Sequence, residues 1–349
     1  MMKNYNLAIV GFGGMGNEHN EKIKGVKNLT VVGVYDIKSQ RQEYAKQKGL
    51  KAYDSLDGIL SDPKIDIVLI ATPNDVHKDI AIKALKAGKN VICEKPVTLN
   101  SIELKEIIAT ANQYKKLFVV HQNRRWDEDF LTMKKIYDEH LLGDIFTVES
   151  RVHGSRGIPG DWRQKKECGG GMLLDWGVHI LDQMVLMIQE KIKTVYCQFT
   201  YVTNSEVDDG FKLILTFESG KTALLEVGTS NFINLPRWYM LGENGSAIIE
   251  DWDLNGKIVR VKGETETNIV PVRTAAGLTK TMAPRREDTI FEEELPKQIA
   301  DVRDFYRNVI NVLSGKEEII VRNDQVLRIM NIIDTAFESA RLNQVLEFK

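Results

Sequence analysis

Gly11-Phe12-Gly13-Gly14-Met15-Gly16 is the segment that most restricts how this chain can fold. A short apolar run (7–10) precedes it and a polar stretch of helical pattern (15–25) follows it. A second strand-like run (29–35) ends at Asp36, 20 residues past Gly16. A lone G-x-G-x-x-G says little. Strand, tight turn, helix, second strand and acid in register make the dinucleotide fingerprint. Gly11 permits the turn, Gly13 lets the backbone approach a pyrophosphate, and Gly16 lets the helix sit close to the strand. Phe12, Gly14 and Met15 complete the loop, whose N–H groups and helix dipole meet the anion. Asp36 is placed to accept from the ribose hydroxyls and to repel a 2′-phosphate, which favours NAD over NADP. Lys38 and Arg41 weaken that preference and leave NADP open. The competing reading is a glycine-rich turn that binds nothing.

The first third alternates strand and helix. Helical segments are expected at 38–48, 75–87 and 101–115, with strands at 65–71, 90–93 and 117–120. The continuous apolar run at 65–71 suits a strand buried on both faces. Asn100 with Glu103 reads as an N-cap. Such alternation predicts a parallel sheet covered on both sides, an α/β Rossmann domain. After about His121 the pattern changes. Helices are expected near 129–140, 173–189, 299–314 and 326–343. Strand-like runs at hairpin spacing lie at 194–203, 211–217, 222–228, 238–241, 247–251 and 257–261. This predicts an α+β domain with a mostly antiparallel sheet. The expected domains are 1–122 and 123–349, the final helix being free to pack back on the first. Residues 265–296, polar and without periodicity, read as a long loop or arm.

Composition narrows the function classes. The formal net charge is −2 over 349 residues, with both signs interspersed. Nothing there calls for a nucleic-acid or membrane partner. The three cysteines, Cys93, Cys168 and Cys197, form no CxxC pair, so neither a disulfide framework nor a metal site is indicated. An odd, sparse count fits a reducing compartment. With no signal peptide and no spanning segment read from the sequence, a cytoplasmic location is expected.

Ligands of an open α/β sheet collect at the carboxyl ends of its strands. Two segments sit there: Thr72-Pro73-Asn74, with His77 one turn further on, and Glu94-Lys95-Pro96. Thr72, Pro73, Asn74, His77, Glu94 and Lys95 are therefore candidates on the cofactor side. Asn74 also reads as an N-cap, and a lone histidine such as His77 is more often a packing or capping residue. For proton chemistry on an alcohol a base is needed, with positive charge near a developing alkoxide. Downstream of Gly169-Gly170-Gly171, the residues Asp175, His179 and Asp182 fall at i, i+4 and i+7 on one helical face. His179 suits proton transfer, and Asp175 is able to orient it or grip a hydroxyl. A polar helix face with an acid near its N-terminus is the competing reading. Lys95 is placed to stabilise negative charge. Its competing reading is a surface pair with Glu94, although neighbours on a strand point to opposite faces.

Taken together, these motifs resemble the Gfo/Idh/MocA oxidoreductase family, the group of glucose–fructose oxidoreductase and inositol dehydrogenase. The resemblance spans nearly the whole chain and rests on the glycine fingerprint, Ala71-Thr72-Pro73-Asn74 with His77, Glu94-Lys95-Pro96, Gln122-Asn123-Arg124-Arg125-Trp126, and the helix with Asp175 and His179. It implies a Rossmann domain plus a domain with a large mixed sheet whose open face makes homodimer or homotetramer contacts. It implies Lys95, Asp175 and His179 as the catalytic set: Lys95 on the reacting oxygen, His179 as acid/base, Asp175 positioning the substrate. It further implies a cis bond before Pro96, Asn123 and Arg124 bordering the site, and Trp162 and Arg163 on the substrate side. Trp126 stands where related chains often carry phenylalanine. Three functions follow as expectations. The first is a dehydrogenase moving hydride between nicotinamide and a secondary alcohol of a sugar or cyclitol. The second is an enzyme that keeps its NAD and cleaves or epimerises glycosides through transient oxidation. The third is a ligand-sensing regulator, a class that tends to lose the lysine or histidine that this chain keeps. The loops at 152–166 and 231–237 are expected to choose the substrate, and the basic stretch from Arg156 to Lys166 offers a place for a charged group.

Overall fold

Six short strands and their helices make the first layer of the computed structural model, which describes residues 3–263 and 269–348. The strands are β1 (Tyr5–Val10), β2 (Leu29–Tyr35), β3 (Lys51–Ala52), β4 (Ile67–Ile70), β5 (Asn90–Cys93) and β6 (Phe118–Val120). They pair in parallel in the order β3-β2-β1-β4-β5-β6. The order reverses between β1 and β4, which opens a crevice for ligand at their carboxyl ends. Every side chain of β4 is buried, as its unbroken apolar run requires. The covering helices are α1 (Gly14–Ile23), α2 (Ser39–Gln47), α3 (Leu56–Ser61), α4 (His77–Lys86) and α5 (Ser101–Tyr114). Asn100 caps α5 by accepting from Glu103 N at 3.0 Å.

The second sheet has nine strands. These are β7 (Ile145–His153), β8 (Ile192–Thr200), β9 (Gly210–Phe217), β10 (Thr222–Gly228), β11 (Trp238–Gly242), β12 (Gly245–Ile249), β13 (Gly256–Val261) and, after a small hairpin of β14 (Val272–Thr274) and β15 (Gly277–Thr279), β16 (Ile290–Glu293) and β17 (Leu346–Glu347). The order is β16-β13-β12-β11-β7-β10-β9-β8-β17. All its pairs are antiparallel except β7 with β10, so the sheet is mixed. Helices α6 (Glu128–Asp138), α7 (Val178–Met187), α8 (Arg303–Leu313) and α9 (Asn323–Leu342) complete the chain. Helix α9 packs on α7 and β8 and also on α5 and β6, and α8 packs on α1. Among the described residues no helix is long and apolar enough to cross a membrane.

Three sequence expectations are corrected here. The segment at 173–189 is not one α-helix: Leu173–Gly177 is a π-turn that feeds α7. A side chain at Gly177 would lie 2.9 Å from Leu173 and 3.1 Å from Phe211, so glycine lets this wider turn sit against the sheet. The stretch at 265–296 is not one long loop, because it holds the small hairpin and β16, which zips onto β13. Residues 265–268 of that stretch lie outside the described residues. Finally, the central strand β7 has no counterpart in the sequence reading. Its alternation is broken by Ser150 and Arg151, both buried, with Arg151 paired to Glu149 and Glu226.

Candidate active site

The glycine loop follows directly from β1. Gly11 has a φ of +91°, and a Cβ there would stand 2.5 Å from Ala71 O. A Cβ on Gly16 would stand 2.1 Å from Gly11 O, so α1 can approach the strand only with glycine at that position. Gly14, by contrast, faces nothing within 4 Å, and Gly13 faces only the Arg41 guanidinium at 3.3 Å. Two glycines thus allow close packing, while two leave an open cradle at the start of a helix, which fits a pyrophosphate. Met15 is partly exposed beside them. Phe12 buries its ring and donates its N–H to Asp36 Oδ2 at 2.7 Å, so its side chain serves the turn itself. Asp36 also accepts from Lys38 N at 2.9 Å and from Arg41 at 3.2 Å. A cation therefore already stands beside the acid meant to discriminate against a 2′-phosphate.

At the ends of β4 and β5 the expected cofactor contacts divide. Thr72 Oγ1 is buried without a partner, whereas the Asn74 side chain donates to Gly169 O at 2.9 Å. His77 is fully buried, with its ring nitrogens 3.0 Å from Pro96 O and 2.9 Å from Thr72 O. Asn74 and His77 thus tie loops together with side-chain atoms that were expected to reach a cofactor. Glu94 is engaged inside the protein in the same way. Its Oε1 lies 2.8 Å from His19 Nε2 and 2.7 Å from His121 Nδ1, and its Oε2 accepts from Lys95 N at 3.1 Å. Tyr306 Oη closes the cluster, 2.7 Å from His19 Nδ1. Burial alone would raise the Glu94 pKa, but the two histidines outweigh it and hold the carboxyl well below its usual range. Burial and the neighbouring His121 push His19 down, so it donates as a neutral ring. The ligand atoms of His19, Glu94 and His121 lie within 4.8 Å of one another. Two nitrogens sharing one oxygen at these separations is hydrogen-bond geometry.

Lys95 points the other way, and its peptide bond to Pro96 is cis. Its Nζ donates to Asp175 O and Oδ1, both at 3.1 Å, not to Glu94. Arg163 Nε lies 3.5 Å from Asp175 Oδ2. Burial would raise the Asp175 pKa, but Lys95 and Arg163 reverse it, and the carboxyl sits below its ordinary value. His179 is buried, and its Nδ1 has no hydrogen-bond partner. Burial, then the charges of Lys95 and Arg124, push its pKa well below the ordinary histidine value, so it is neutral at pH 7. The π-turn separates it from Asp175, which gives its oxygens to Lys95 and Arg163. Of the two roles left open for Asp175, orienting His179 or gripping a hydroxyl, the first has no hydrogen bond behind it among the described residues. Asp182 leaves the site altogether: it is buried and accepts a two-pronged bond from Arg125 at 2.7 and 2.6 Å. The turn itself is anchored by Asp208, whose backbone O and Oδ2 accept from Met172 N and Leu173 N. Burial pushes the Asp208 carboxyl up to about 7.

Asp175 and Trp176 open onto a cavity of about 660 Å3, also lined by Arg124, His153, Arg156 and Trp252. The Arg124 guanidinium lies 4.1 Å from the Trp176 ring centre and bonds Asp127 at 2.9 Å. Asn123 Oδ1 is buried nearby in the chain without a partner. Arg163 joins the site through Asp175, while Trp162 stacks on Arg163 at 4.5 Å instead of lining the cavity. Of the two expected specificity loops, residues 152–159 line the cavity, but 231–237 give way to 227–229 and Trp252. Sequence reasoning missed Trp252, His19 and His121. His121 follows β6 at a strand's carboxyl end, a signal that was there to use. Trp252 carries no such signal.

The family model described as "Oxidoreductase family, NAD-binding Rossmann fold" matches residues 5–122, and the Gfo/Idh/MocA C-terminal domain model matches residues 130–248. The chain is similar to the crystal structure of an NAD-binding protein from Listeria innocua, with a TM-score of 0.97 and 48% identity over 99% of this chain and 100% of that one. It is also similar to the NADP(+)-dependent scyllo-inositol 2-dehydrogenase of Bacillus subtilis, at 28% identity over 96% of this chain and 93% of the relative. A third relative is the 2,7-anhydro-N-acetylneuraminate hydratase of Escherichia coli, 28% identical over 76% of this chain and 72% of its own length.

Proposed function

The chain belongs to the Gfo/Idh/MocA family of NAD-binding oxidoreductases, and from that premise we propose that it moves hydride at a secondary alcohol of a sugar or cyclitol. The observation that carries this reading is a neutral imidazole with an unpartnered Nδ1, under the charge of Lys95, whose ammonium pairs with Asp175 at the cavity wall. Bound at the glycine cradle, the nicotinamide cofactor supplies the hydride acceptor or donor. Lys95 gives an N–H to the substrate oxygen and stabilises negative charge as it develops. His179, neutral at pH 7, is in the state that accepts the hydroxyl proton, a role worth roughly 10²–10⁴-fold in rate. Asp175 aligns Lys95 and accepts from a neighbouring hydroxyl. Trp176 and Trp252 offer flat faces to the C–H side of a ring. Arg41 and Lys38 beside Asp36 support use of NADP as well as NAD, and a similar dehydrogenase is NADP-dependent.

The test is NADH or NADPH formation with a panel of inositols, aldoses and their acids. Steady reduction that disappears in His179→Ala and Lys95→Met supports the reading. A second reading has one observation behind it: a relative of similar identity is a hydratase. On that reading the cofactor stays bound and oxidation is transient. Product formation without NADH accumulation would favour it.

A further inference from the structure

The cavity beside Asp175 carries unequal charge. Arg124 and Arg156 line it, and Asp175 is its one carboxylate among the described residues. That carboxylate is already divided between Lys95 and Arg163. Arg124 spends one nitrogen on Asp127, while its buried Nε has no partner. Arg156 is exposed at the rim and has neither a hydrogen bond nor an ion pair among the described residues. Positive charge in excess between low-dielectric walls focuses potential into a cleft and draws anions to it. A neutral polyol filling this space would cover Arg156 without a counter-charge and leave the Arg124 Nε, whose guanidinium is paired only with Asp127, short of an acceptor, which is costly. An anion there would gain charge-assisted hydrogen bonds from both. The volume, about 660 Å3, lies in the range of roughly 300–1,000 Å3 that encloses ligands larger than one six-membered ring. It therefore has room for a substituent beside the ring.

We propose that the substrate is an anionic polyol, a sugar or cyclitol bearing a carboxylate or phosphate. Arg156 and Arg124 hold the anion, and the ring lies on Trp176 and Trp252. The inference rests on the oxidoreductase reading above and narrows its substrate class. Arg156 is then a specificity-determining residue, and Arg124 reads charge as well as shape.

The experiment measures binding and turnover separately on the NAD-loaded protein. Calorimetric titration compares glucose with glucuronate and glucose 6-phosphate, and galactose with galacturonate. NADH formation is followed for each. The expected result is that an acid binds at least about tenfold more tightly than its neutral parent, and that added salt shrinks the advantage. In Arg156→Ala the ratio of acid to parent falls at least fivefold, and Arg156→Lys restores part of it. The carboxylate and phosphate arms identify which anion is read. Equal binding of acids and parents, no binding of any of them, or an unchanged ratio in Arg156→Ala overturns the inference. NADH formed from the neutral sugars with no preference for acids overturns it and leaves the oxidoreductase reading standing. Acid-selective binding without NADH keeps it and removes turnover.

Discussion

Glu94 and Lys95 are neighbours in the chain and face two regions of opposite character. On the Glu94 side every contact is made: two histidines share one carboxylate oxygen, a tyrosine completes one ring, and a backbone N–H takes the other oxygen. On the Lys95 side polar atoms are left over, namely His179 Nδ1 and the Nε of Arg124 at the cavity wall. Buried polar groups are nearly always paired, so those that are not demand an explanation. The difference separates scaffold from site. The Glu94 side holds shape, and the Lys95 side offers polar atoms that a ligand is able to take up.

The largest effect is expected on the open side. His179→Ala and Lys95→Met should each lower kcat/KM by roughly 10²–10⁴-fold and leave the unfolding midpoint nearly unchanged. Steady-state kinetics beside thermal melts test this, and a large fall in the midpoint would break the comparison. The closed side should behave conversely. Glu94→Gln removes the charge that two histidines are built around, at a cost of about 3 kcal/mol, seen as a lower denaturant midpoint. If that variant lost activity at full stability, the Glu94 cluster would belong to the chemistry instead.

Acid should sharpen the contrast next. His19, His77 and His179 all sit below the ordinary histidine value of 6.5, chiefly through burial. The unfolded chain therefore takes up protons that the folded chain refuses. The stability these rings contribute is present above pH 6.5 and is lost as pH falls toward their folded values. Melts between pH 7.5 and about 5 should show it, and His77→Asn should flatten part of the slope. The smallest effect is at the cradle. Arg41→Ala should raise the preference for NAD over NADP by a few fold, read from the ratio of their kcat/KM values, because the cation beside Asp36 is removed.

Legibility in the sequence followed the same division. Five strands of the first sheet were readable because strands covered on both faces are unbroken apolar runs, as 67–70 shows, whereas the two-residue β3 was not. Strand β7 was not, because Glu149 and Arg151 sit within it, paired to each other, and Arg151 also reaches Glu226 of β10. Lys95, Asp175 and His179 were singled out through short motifs. The Glu94 cluster was not, since its members lie 75, 27 and 287 residues apart along the chain and only packing brings them together. Asp182 was misplaced because helical spacing fixes a face but not what that face meets. Here it met Arg125, and a π-turn shifted the register upstream.

The hydroxyl of Tyr306 has a consequence in time. The six strands of the first sheet have all been synthesised by residue 120, yet the ring of His19 waits for a partner 287 residues downstream of it. At synthesis rates of roughly 5–20 residues per second, the 185 residues that separate Tyr306 from His121 take on the order of ten to forty seconds to appear. Through that interval His19 lacks the hydroxyl that its Nδ1 meets in the folded chain. Its final locking belongs to the last stage of the chain's birth.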